Sequence, residues 1–428
     1  MFEESALEEV CERITDGSHF SPKSVETGFP MASVKDLNSF GVSIPSCRLI
    51  SEDDFKKLIR QGCQPEKGDI LISKDGATAI DTVCFLKTKP HFVLLSSVAI
   101  IRPDPKKISP KYLYFYLDCY TTKSYMKNTF TTGAAIPRVV LKDFRRIKIR
   151  FPNRASQEKI ANIASSYYEL LENNSRRIQL LESMAKLIYD EWFVKFKFPG
   201  HEKVKMVKSD LGDIPEGWEV KRVYDIVDIQ KGLSYKSENL VDDGKIAFVN
   251  LKCFERGGGF RYDGVKRFEG DFKEKHIVKC GDIVLAVTDM TQNREIVARA
   301  ARIPKLKENT IIISMDVVKM NPKNGLDKSW LFGLLNYSSF GITIKEFANG
   351  VNVLHLKSEP IGEYKFVMPD QKTIEVYSQI VSSMYQDIDN LQLKNQNLAT
   401  TRDLLLPKLI SGDLDVSELD IKVSEVGA

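Results

Sequence analysis

The sequence is short of the residues that build metal sites and disulfide scaffolds. Its 428 residues include seven cysteines and five histidines, and neither set has the close spacing of metal ligands. No Cys-x-x-Cys pair occurs, and an odd number of widely spaced cysteines does not suit a disulfide framework. These absences argue against a zinc-stabilised fold and against a disulfide-rich secreted domain.

Long apolar runs and a strong charge of one sign are missing as well. The longest apolar stretches, such as Val93–Ile101, are far shorter than a bilayer span. Residues 1–12 are acidic where a secretory signal would be basic. The formal net charge of +4 neither demands nor excludes nucleic acid as a partner. We therefore expect a cytoplasmic protein with no membrane partner.

Motifs that would support catalysis are not found either. The chain has no phosphate-binding Gly-x-x-x-x-Gly-Lys-Ser/Thr loop, no Asn/Asp-Pro-Pro-aromatic tetrapeptide, no Gly-x-Ser-x-Gly and no His-Glu-x-x-His. Glu219-Val-Lys221 has the Glu-x-Lys form of many metal-dependent nucleases, but three-residue matches arise by chance. Gly257-Gly258-Gly259 lacks the setting of a cofactor loop and is interpreted as a loop tip. We predict no catalytic residue, no metal ligand and no cofactor in this chain.

An internal duplication is the main positive feature of the sequence. The second half repeats the first with shifts between 213 and 217 residues, and the matches occur in the same order: Gly17 with Gly232, Gly68-Asp69-Ile70 with Gly281-Asp282-Ile283, Phe130–Gly133 with Phe347–Gly350, and Pro152 with Pro369. A period this long indicates a repeated globular domain followed by a helix, since solenoid repeats are 20–50 residues long.

Each globular copy is predicted to contain short strands and an aromatic helix. Strands are expected at Asp69–Ser73, at Val93–Ile101 and at Arg145–Phe151, the last with a counterpart at Tyr364–Met368. An aromatic helix is expected at Lys111–Tyr125, with a counterpart at Trp330–Leu335. We interpret its aromatic run as core packing; a platform for base stacking is the open alternative.

A long helix is predicted after each globular copy. The first follows Pro152, with Ser156 as a plausible N-cap, and extends to about Trp192 before Pro199-Gly200. The second follows Pro369, with Asp370 as N-cap; Pro407 bends or ends it and Gly412 ends it. Each has a long apolar stripe, so we predict that the helices pair with each other. Packing of each helix on its own preceding domain is the alternative.

These elements define an α+β fold with two similar globular domains of mixed strands and helices. We expect the domains to be related by a pseudo-twofold axis and separated by two long antiparallel helices that form a coiled coil. The predicted boundaries are globular domain 1 at 1–152, first helix 153–198, linker 199–214, globular domain 2 at 215–369, second helix 370–412 and a C-terminal tail 413–428. The lysine-rich linker is expected to be irregular and solvated.

Several segments in this order resemble one family, the specificity subunits of type I restriction–modification enzymes. Ser209–Trp218 resembles the start of that family's second target-recognition domain, and Leu405–Leu414 resembles its C-terminal end. Gln157-Glu-Lys-Ile160 and Gln371-Lys-Thr-Ile374 resemble its two helix starts, and Ile188–Phe193 resembles the end of its first helix. The resemblance extends over nearly the whole chain.

The resemblance implies a non-catalytic DNA-binding role. Each globular domain is then a target-recognition domain for one half of a bipartite, asymmetric site in double-stranded DNA. The helices become a spacer, about 55 Å for roughly 37 residues, and a docking surface for two methyltransferase subunits. S-adenosylmethionine, ATP and Mg are expected only on the partner subunits, namely the methyltransferases and the motor-nuclease subunits that join through the complex.

Polar and basic loops at equivalent points of the two copies are the candidate DNA contacts, because base edges and phosphates are bound by such side chains. The predicted residues are Ser18, His19, Lys35, Lys74, Thr131, Thr132 and Arg138 in the first copy, and Ser234, Tyr235, Lys236, Asn250, Lys252, Arg294, Asn349, Asn352 and His355 in the second. The alternative is that these are surface loops that have merely diverged. The basic run Arg145–Arg150 fits either a phosphate contact or a charged strand face.

The sequence leaves two other functions as alternatives. One is a fragment of a DNA-modifying enzyme, a methyltransferase or a nuclease. The other is a coiled-coil scaffold with protein-binding heads.

Overall fold

The chain divides into two units, and both long helices contribute to both of them. A computed structural model describes residues 2–76, 78–130 and 138–421. Unit 1 is Met1–Asn173 with Asn395–Ala428, and unit 2 is Asn174–Lys394. The divisions at 173/174 and 394/395 fall inside the two long helices, so each unit consists of a globular part and segments of both helices.

The described part of unit 1 has short strands and four α-helices before the first long helix. The strands are β1 Glu3–Ala6, β2 Cys11–Asp16, β3 Phe29–Ala32, β4 Leu37–Asn38, β5 Gly41–Val42, β6 Arg48–Ile50, β7 Ile70–Ser73, β8 Val83–Phe85, β9 Val93–Leu94, β10 Val98–Pro103 and β11 Lys148–Phe151. The helices are α1 Glu52–Arg60, α2 Pro110–Asp118, α3 Tyr120–Phe130 and α4 Leu141–Arg146, and the first long helix is α5 Arg154–Tyr189.

Unit 2 has a similar set. Its strands are β12 Met206–Ser209, β13 Gly212–Pro215, β14 Glu219–Arg222, β15 Val227–Lys231, β16 Leu240–Val241, β17 Ile246–Val249, β18 Lys266–Phe268, β19 Ile277–Val278, β20 Ile283–Ala286, β21 Thr288–Asp289, β22 Ala300–Arg302, β23 Thr310–Ile313, β24 Val317–Pro322, β25 Leu354–His355 and β26 Lys365–Met368. Its helices are α6 Val223–Ile226, α7 Lys328–Tyr337, α8 Phe340–Ile344 and α9 Ser358–Glu363, followed by the second long helix, α10 Gln371–Ser411.

The sheets of the two units have matching topology. The order β2-β10-β7-β8 in unit 1 corresponds to β15-β24-β20-β22 in unit 2, and β6-β3-β9 corresponds to β18-β17-β23. The parallel pair β3–β9 has its counterpart in the parallel pair β17–β23. Likewise β1–β11 matches β14–β26. The duplication predicted from sequence and the α+β class are confirmed.

The repeated Gly-Asp-Ile tripeptide has the same structural reason in both units. Asp69 accepts a hydrogen bond from the Glu66 amide at 2.7 Å and pairs with Arg102 at 2.8 Å. Asp282 accepts from the Lys279 amide at 2.8 Å and pairs with Lys319, also at 2.8 Å. Each buried carboxylate therefore closes the turn before a central strand and is neutralised by a cation from the neighbouring strand.

The aromatic helix forms part of the core, as predicted. Tyr112, Leu113 and Phe115 of α2 are buried, as are Trp330 and Leu331 of α7. In unit 1, Phe115 packs against Tyr168 of α5 with ring centroids 5.0 Å apart. The rings therefore stabilise the attachment of α5 to the first globular part.

Three local predictions were wrong. The run Val93–Ile101 splits into β9 and β10 because Leu95–Ser97 forms a turn. The predicted strand Arg145–Phe151 begins only at Lys148, since Arg145 and Arg146 end α4. The predicted Lys111–Tyr125 helix is divided at Cys119, whose backbone is extended.

The start of α5 also differs from the prediction, whereas α10 starts as predicted. Asn153, and not Ser156, caps α5: its side chain accepts from the Ser156 amide at 3.0 Å. Asp370 caps α10 by accepting from the Thr373 amide at 3.0 Å. Pro407 lies inside α10 without ending it, and Gly412, with φ +85°, follows its last residue.

The linker is more ordered than predicted. It contains the antiparallel hairpin β12–β13, with Met206 opposite Pro215 and Ser209 opposite Gly212. The hairpin is fixed at its base, where Ile214 is buried among the core residues of unit 2. The irregular linker expected from its lysine content is therefore corrected to a short hairpin with exposed lysines.

Within each unit, segments of both long helices share the core of the globular part. In unit 1, Ile160 and Tyr168 of α5 lie in one apolar cluster with Leu406 and Ile410 of α10. In unit 2, Tyr189 of α5 and Tyr377 of α10 lie in another. Helix–helix contact and helix–domain packing, posed as alternatives by the sequence, therefore occur together within each unit.

An ion pair fastens the globular part of unit 2 to α10. Arg302, at the end of β22, donates to both carboxylate oxygens of Asp389 at 2.6 and 2.9 Å and to the carbonyl of Tyr385 at 3.0 Å. The guanidinium also lies 5.0 Å from the centre of the Tyr385 ring. The Arg302 and Asp389 side chains are 16% and 17% exposed, so water screens them little.

We expect Arg302→Met to lower the free energy of unfolding of unit 2 by about 2 kcal/mol, because Asp389 is left without its bidentate partner in a largely enclosed position. The three tryptophans, Trp192, Trp218 and Trp330, all lie in unit 2. Urea unfolding followed by tryptophan fluorescence therefore measures this unit.

Arg256→Met is the matched control. Its side chain is 76% exposed and pairs with Glu295 at the surface of the same unit, so the expected change is under about 0.5 kcal/mol. Equal effects of the two substitutions would show that the Arg302 pair is not a structural fastening.

Candidate nucleic-acid interface

A glycine in each unit lets one loop lie directly against a strand end. At Gly17 a Cβ atom would be 2.2 Å from the carbonyl oxygen of Leu94, and at Gly232 it would be 2.2 Å from that of Ser314. The following amides, of Ser18 and Leu233, bond to the same strand ends at 2.7 and 2.8 Å. Only glycine permits this approach, which explains the first match of the duplication.

In unit 1 the predicted loops meet around the turn between β9 and β10. The Ser96 amide bonds to the carbonyl of Ser18 at 2.9 Å, and the Leu95 amide bonds to that of Ala32 at 2.9 Å. The Lys74 amide bonds to the Ser97 carbonyl at 3.0 Å. We call this set loop cluster 1; it comprises Gly17–Phe20, Ser33–Lys35, Lys74–Gly76, Leu95–Ser97 and Arg138–Val139.

A chain of alternating charges crosses loop cluster 1. Lys74 Nζ lies 3.3 Å from Asp16 Oδ2 and 3.5 Å from Asp75 Oδ2. Asp16 Oδ2 is also 3.4 Å from His19 Nε2, and Asp75 Oδ1 is 3.1 Å from Arg138 Nε. The Lys74 side chain is 2% exposed, whereas His19 and Arg138 are 69% and 51% exposed. The buried lysine thus links two carboxylates that each lie beside one exposed side chain.

In unit 2 the predicted loops meet in the same way. The Met315 amide bonds to the Leu233 carbonyl at 2.7 Å, and the Ser314 amide bonds to the Val249 carbonyl at 2.9 Å. The Val287 amide bonds to the Asp316 carbonyl at 2.9 Å. Loop cluster 2 comprises Gly232–Lys236, Asn250–Lys252, Thr288–Arg294, Ser314–Asp316 and Asn349–His355.

Asp289 holds loop cluster 2 by accepting backbone hydrogen bonds. Its carboxylate accepts from the amides of Thr291 at 2.8 Å, Ile296 at 2.7 Å and Val297 at 3.0 Å. Burial alone would raise the pKa of Asp289, but the three amides and the Thr291 hydroxyl outweigh it and lower the pKa below 3.8. The loops of unit 1 are thus joined by ion pairs between side chains, whereas those of unit 2 are held by a carboxylate that accepts hydrogen bonds from backbone amides.

The structure exposes most of the predicted residues and encloses three of them. His19, Lys35 and Arg138 are exposed in unit 1, as are Ser234, Lys236, Lys252, Asn349, Asn352 and His355 in unit 2. Tyr235 and Arg294 are half-buried, the first against Phe248 and the second beside Glu346. Thr131 and Thr132 lie outside the described residues.

The three enclosed residues shape loops and do not face solvent in this conformation. The Ser18 hydroxyl donates to the Phe20 carbonyl at 2.8 Å, and Asn250 accepts from the Lys252 amide at 2.9 Å. Lys74 occupies the centre of the charge chain described above. Direct contact with a ligand, as predicted for all three, would require the loops to rearrange.

Three exposed apolar residues of loop cluster 2 are not among the contact residues predicted from the sequence. Met290, Met315 and Val351 are 75%, 51% and 89% exposed. The available signal was an apolar residue at the tip of a loop whose neighbours are polar.

The described residues contain no group of three or more His, Cys, Asp or Glu side chains placed to hold a metal ion. Over the same part of the chain, no helix combines the length and apolar character needed to span a membrane.

The structure is that of a protein with two copies of one domain, each with a cluster of loops at the ends of its strands. A model of the family described as "Type I restriction modification DNA specificity domain" matches residues 1–183 and 215–400, so the chain belongs to that family.

Named relatives and a solved structure agree with this assignment. The chain is 26% identical over 321 residues to the Type I restriction enzyme MjaIX specificity subunit of Methanocaldococcus jannaschii, covering 72% of this chain and 70% of the relative. It is 26% identical over 376 residues to the MjaVIII specificity subunit of the same organism, covering 86% and 84%. The crystal structure of a type I restriction–modification S subunit from M. genitalium has the same fold, with 96% of each chain covered, a TM-score of 0.57 and 16% identity.

We expect Asp289→Ala to accelerate hydrogen exchange at the Ile296 and Val297 amides about tenfold or more, because a part-buried and a buried donor lose their acceptor. The measurement is amide exchange by mass spectrometry or NMR, with Asp271→Ala, an exposed aspartate of the same unit, as control.

The pH dependence has a defined sign. Because the folded-state pKa of Asp289 is lower than the ordinary value of an aspartate, its carboxylate stabilises the fold fully when the pH is above that ordinary value. This stabilisation is lost as the pH falls through the lower, folded-state pKa. Unchanged exchange in Asp289→Ala would show that the loop is held by other contacts.

Proposed function

We propose that each unit binds one half of a bipartite, asymmetric DNA site through its loop cluster. The observation that supports this proposal is the combination of equal strand topology with unequal loop residues. The glycine contacts occur at the same place in both units, while the exposed side chains around them differ. Two sites built this way are suited to binding two different base sequences within one DNA duplex.

The exposed residues have the chemistry that base and phosphate contacts require. Loop cluster 1 presents the cation Arg138 and the imidazole of His19, each beside a carboxylate. Loop cluster 2 presents the amides of Asn349 and Asn352 and the imidazole of His355. Arginine suits guanine and asparagine suits adenine in the major groove, so the two units are expected to prefer different half-sites.

The long helices are proposed to set the gap between the half-sites and to dock two methyltransferase subunits. Leu187 of α5 and Leu404 of α10 are 59% and 67% exposed, and they are 217 residues apart, the shift that relates the two copies. Exposed leucines at equivalent helix positions are expected where two copies of one partner bind. Leu180 and Met184, also exposed, extend the surface on α5.

The chain itself is proposed to be non-catalytic. Adenine methylation with S-adenosylmethionine, and ATP- and Mg-dependent translocation and cleavage, are assigned to the methyltransferase and motor-nuclease subunits. Methyl transfer by the purified chain alone would favour a DNA-modifying enzyme instead. A chain whose DNA binding does not weaken as salt rises would favour a protein-binding scaffold.

The proposal is tested by mapping methylated sites in cells that express this chain with its methyltransferase subunits. We expect one bipartite motif. Arg138→Ala should relax base preference in one half-site, and His355→Ala should relax it in the other, each by roughly 1–3 kcal/mol of discrimination.

Lys208→Ala serves as the control, because Lys208 is 91% exposed in the hairpin and outside both loop clusters. It should leave both half-sites unchanged. Relaxation of the same half-site by Arg138→Ala and His355→Ala would contradict the assignment of one half-site to each unit.

Docking is tested separately by Leu187→Asp and Leu404→Asp. Each should reduce the bound methyltransferase subunits from two to one, because a charge at the centre of an apolar contact is strongly unfavourable. Light scattering of the purified complex measures the change. Ile342→Asp, at a residue that is 65% exposed outside the long helices, should retain both subunits, and full retention by the leucine variants would place docking elsewhere.

A further inference from the structure

The two most exposed large apolar side chains among the described residues both belong to loop cluster 2. Val351 is 89% exposed and Met290 is 75% exposed, and Met315 of the same cluster is 51% exposed. Single exposed apolar residues are common on protein surfaces, but three on adjoining loops of one candidate site are not explained by chance exposure.

These side chains stand on loops that are joined to one another. Gln292 donates to the carbonyl of Val351 at 2.7 Å, which links the loops of Met290 and Val351. Thr288 donates to Asp316 at 3.0 Å, which links the loop of Met290 to that of Met315. The apolar groups are therefore presented by an ordered structure, in which the entropy cost of holding the loops has already been met.

The surroundings of the three side chains favour nucleic acid over an apolar protein surface as the occupant. Lys236, Lys252 and His355 are exposed on the same cluster, and such groups suit phosphates and base edges. In the major groove of DNA, the one apolar group presented by a base is the 5-methyl group of thymine.

We propose that Met290, Met315 and Val351 bind thymine methyl groups and so make the half-site bound by unit 2 dependent on thymine. This inference rests on the proposed function and adds to it the chemical feature that unit 2 recognises.

The described part of loop cluster 1 differs in this respect. Its exposed large apolar residue is Phe20, at 55%, and the ammonium of Lys57 lies 5.3 Å from the centre of that ring. The other exposed side chains named there are His19, Lys35 and Arg138. Loop cluster 1 thus presents one exposed apolar side chain beside a lysine, where loop cluster 2 presents three. The half-site bound by unit 1 is therefore expected to depend on thymine methyl groups less than the half-site bound by unit 2, which provides an internal comparison.

The test uses the complex of this chain with its methyltransferase subunits and the DNA site found by methylation mapping. Each thymine is replaced in turn by deoxyuridine, which removes the methyl group and keeps the base-pairing edge. Competition binding then measures affinity. We expect a loss of about fourfold per contacted methyl, the value for one buried methylene, at more positions in the half-site that His355→Ala relaxes than in the other.

The variants Met290→Gln, Met315→Gln and Val351→Ser identify the contact. The first two keep the side-chain length with a polar end, and the third removes both methyl groups of the valine. In the variant that contacts a given thymine, the deoxyuridine penalty at that position should disappear, while penalties at other positions persist. Loss of one penalty in one variant supports the proposal, since a general loss of stability would lower affinity for both DNAs equally.

Three results would overturn the inference. Sequence-specific binding with no deoxyuridine penalty in either half-site would reject it and leave the proposed function intact. Variants that lose methyltransferase subunits while the penalties persist would identify the apolar residues as a protein contact. Absence of any sequence-specific binding would reject the proposed function itself.

Discussion

The close approach of one backbone segment to another organises both candidate sites. Gly17 and Gly232 each allow the loop after a sheet strand to rest on the carbonyl at the end of a strand in the neighbouring sheet. A side chain at either position would overlap that carbonyl. The remaining loops bond to the turns that follow these strand ends or to one another, so each glycine contact fixes one part of its loop cluster and backbone hydrogen bonds join the rest to it.

The two units stabilise their loops by different physical means. In unit 1 a buried lysine lies between two carboxylates, and these in turn lie beside the exposed His19 and Arg138. In unit 2 Asp289 satisfies backbone amides, and the exposed groups around it are amides, methionines and a valine. Two copies of a domain in one chain can bind different DNA sequences if they keep the same strand topology and differ in the side chains of their loops.

Prediction from sequence succeeded where the signal was local or repeated. The duplication, its matched glycines and Asp370 as a cap are all visible in the order of residues. The first helix start was misplaced by three residues because Asn153 and Ser156 are both acceptable caps. With Asn153 as the cap, the buried side chain of Gln157 accepts from the Ser109 amide and donates to the Pro152 carbonyl. The contact with Ser109 joins residues 48 positions apart, which the local sequence does not reveal.

The burial of Lys74 had the same non-local cause. A lysine next to a glycine-containing turn resembles a phosphate contact, and only the packing of Asp16 and Asp75 around it shows its actual place. Conversely, Met290, Met315 and Val351 carry no polar signal, and their exposure follows from the way three separate loops come together. The sequence therefore predicts which loops form the candidate sites, but not which of their side chains are buried and which face solvent.

The discontinuity of unit 1 has a consequence for synthesis on the ribosome. Unit 2 is one continuous segment, Asn174–Lys394, but the core of unit 1 includes Leu406, Leu409 and Ile410. At typical translation rates of about 5–20 residues per second, the first globular part waits at least ten seconds for these residues to emerge. The amino-terminal half of the protein therefore completes its folding last, and a nascent chain is the state in which its apolar surface is most open to aggregation and to chaperones.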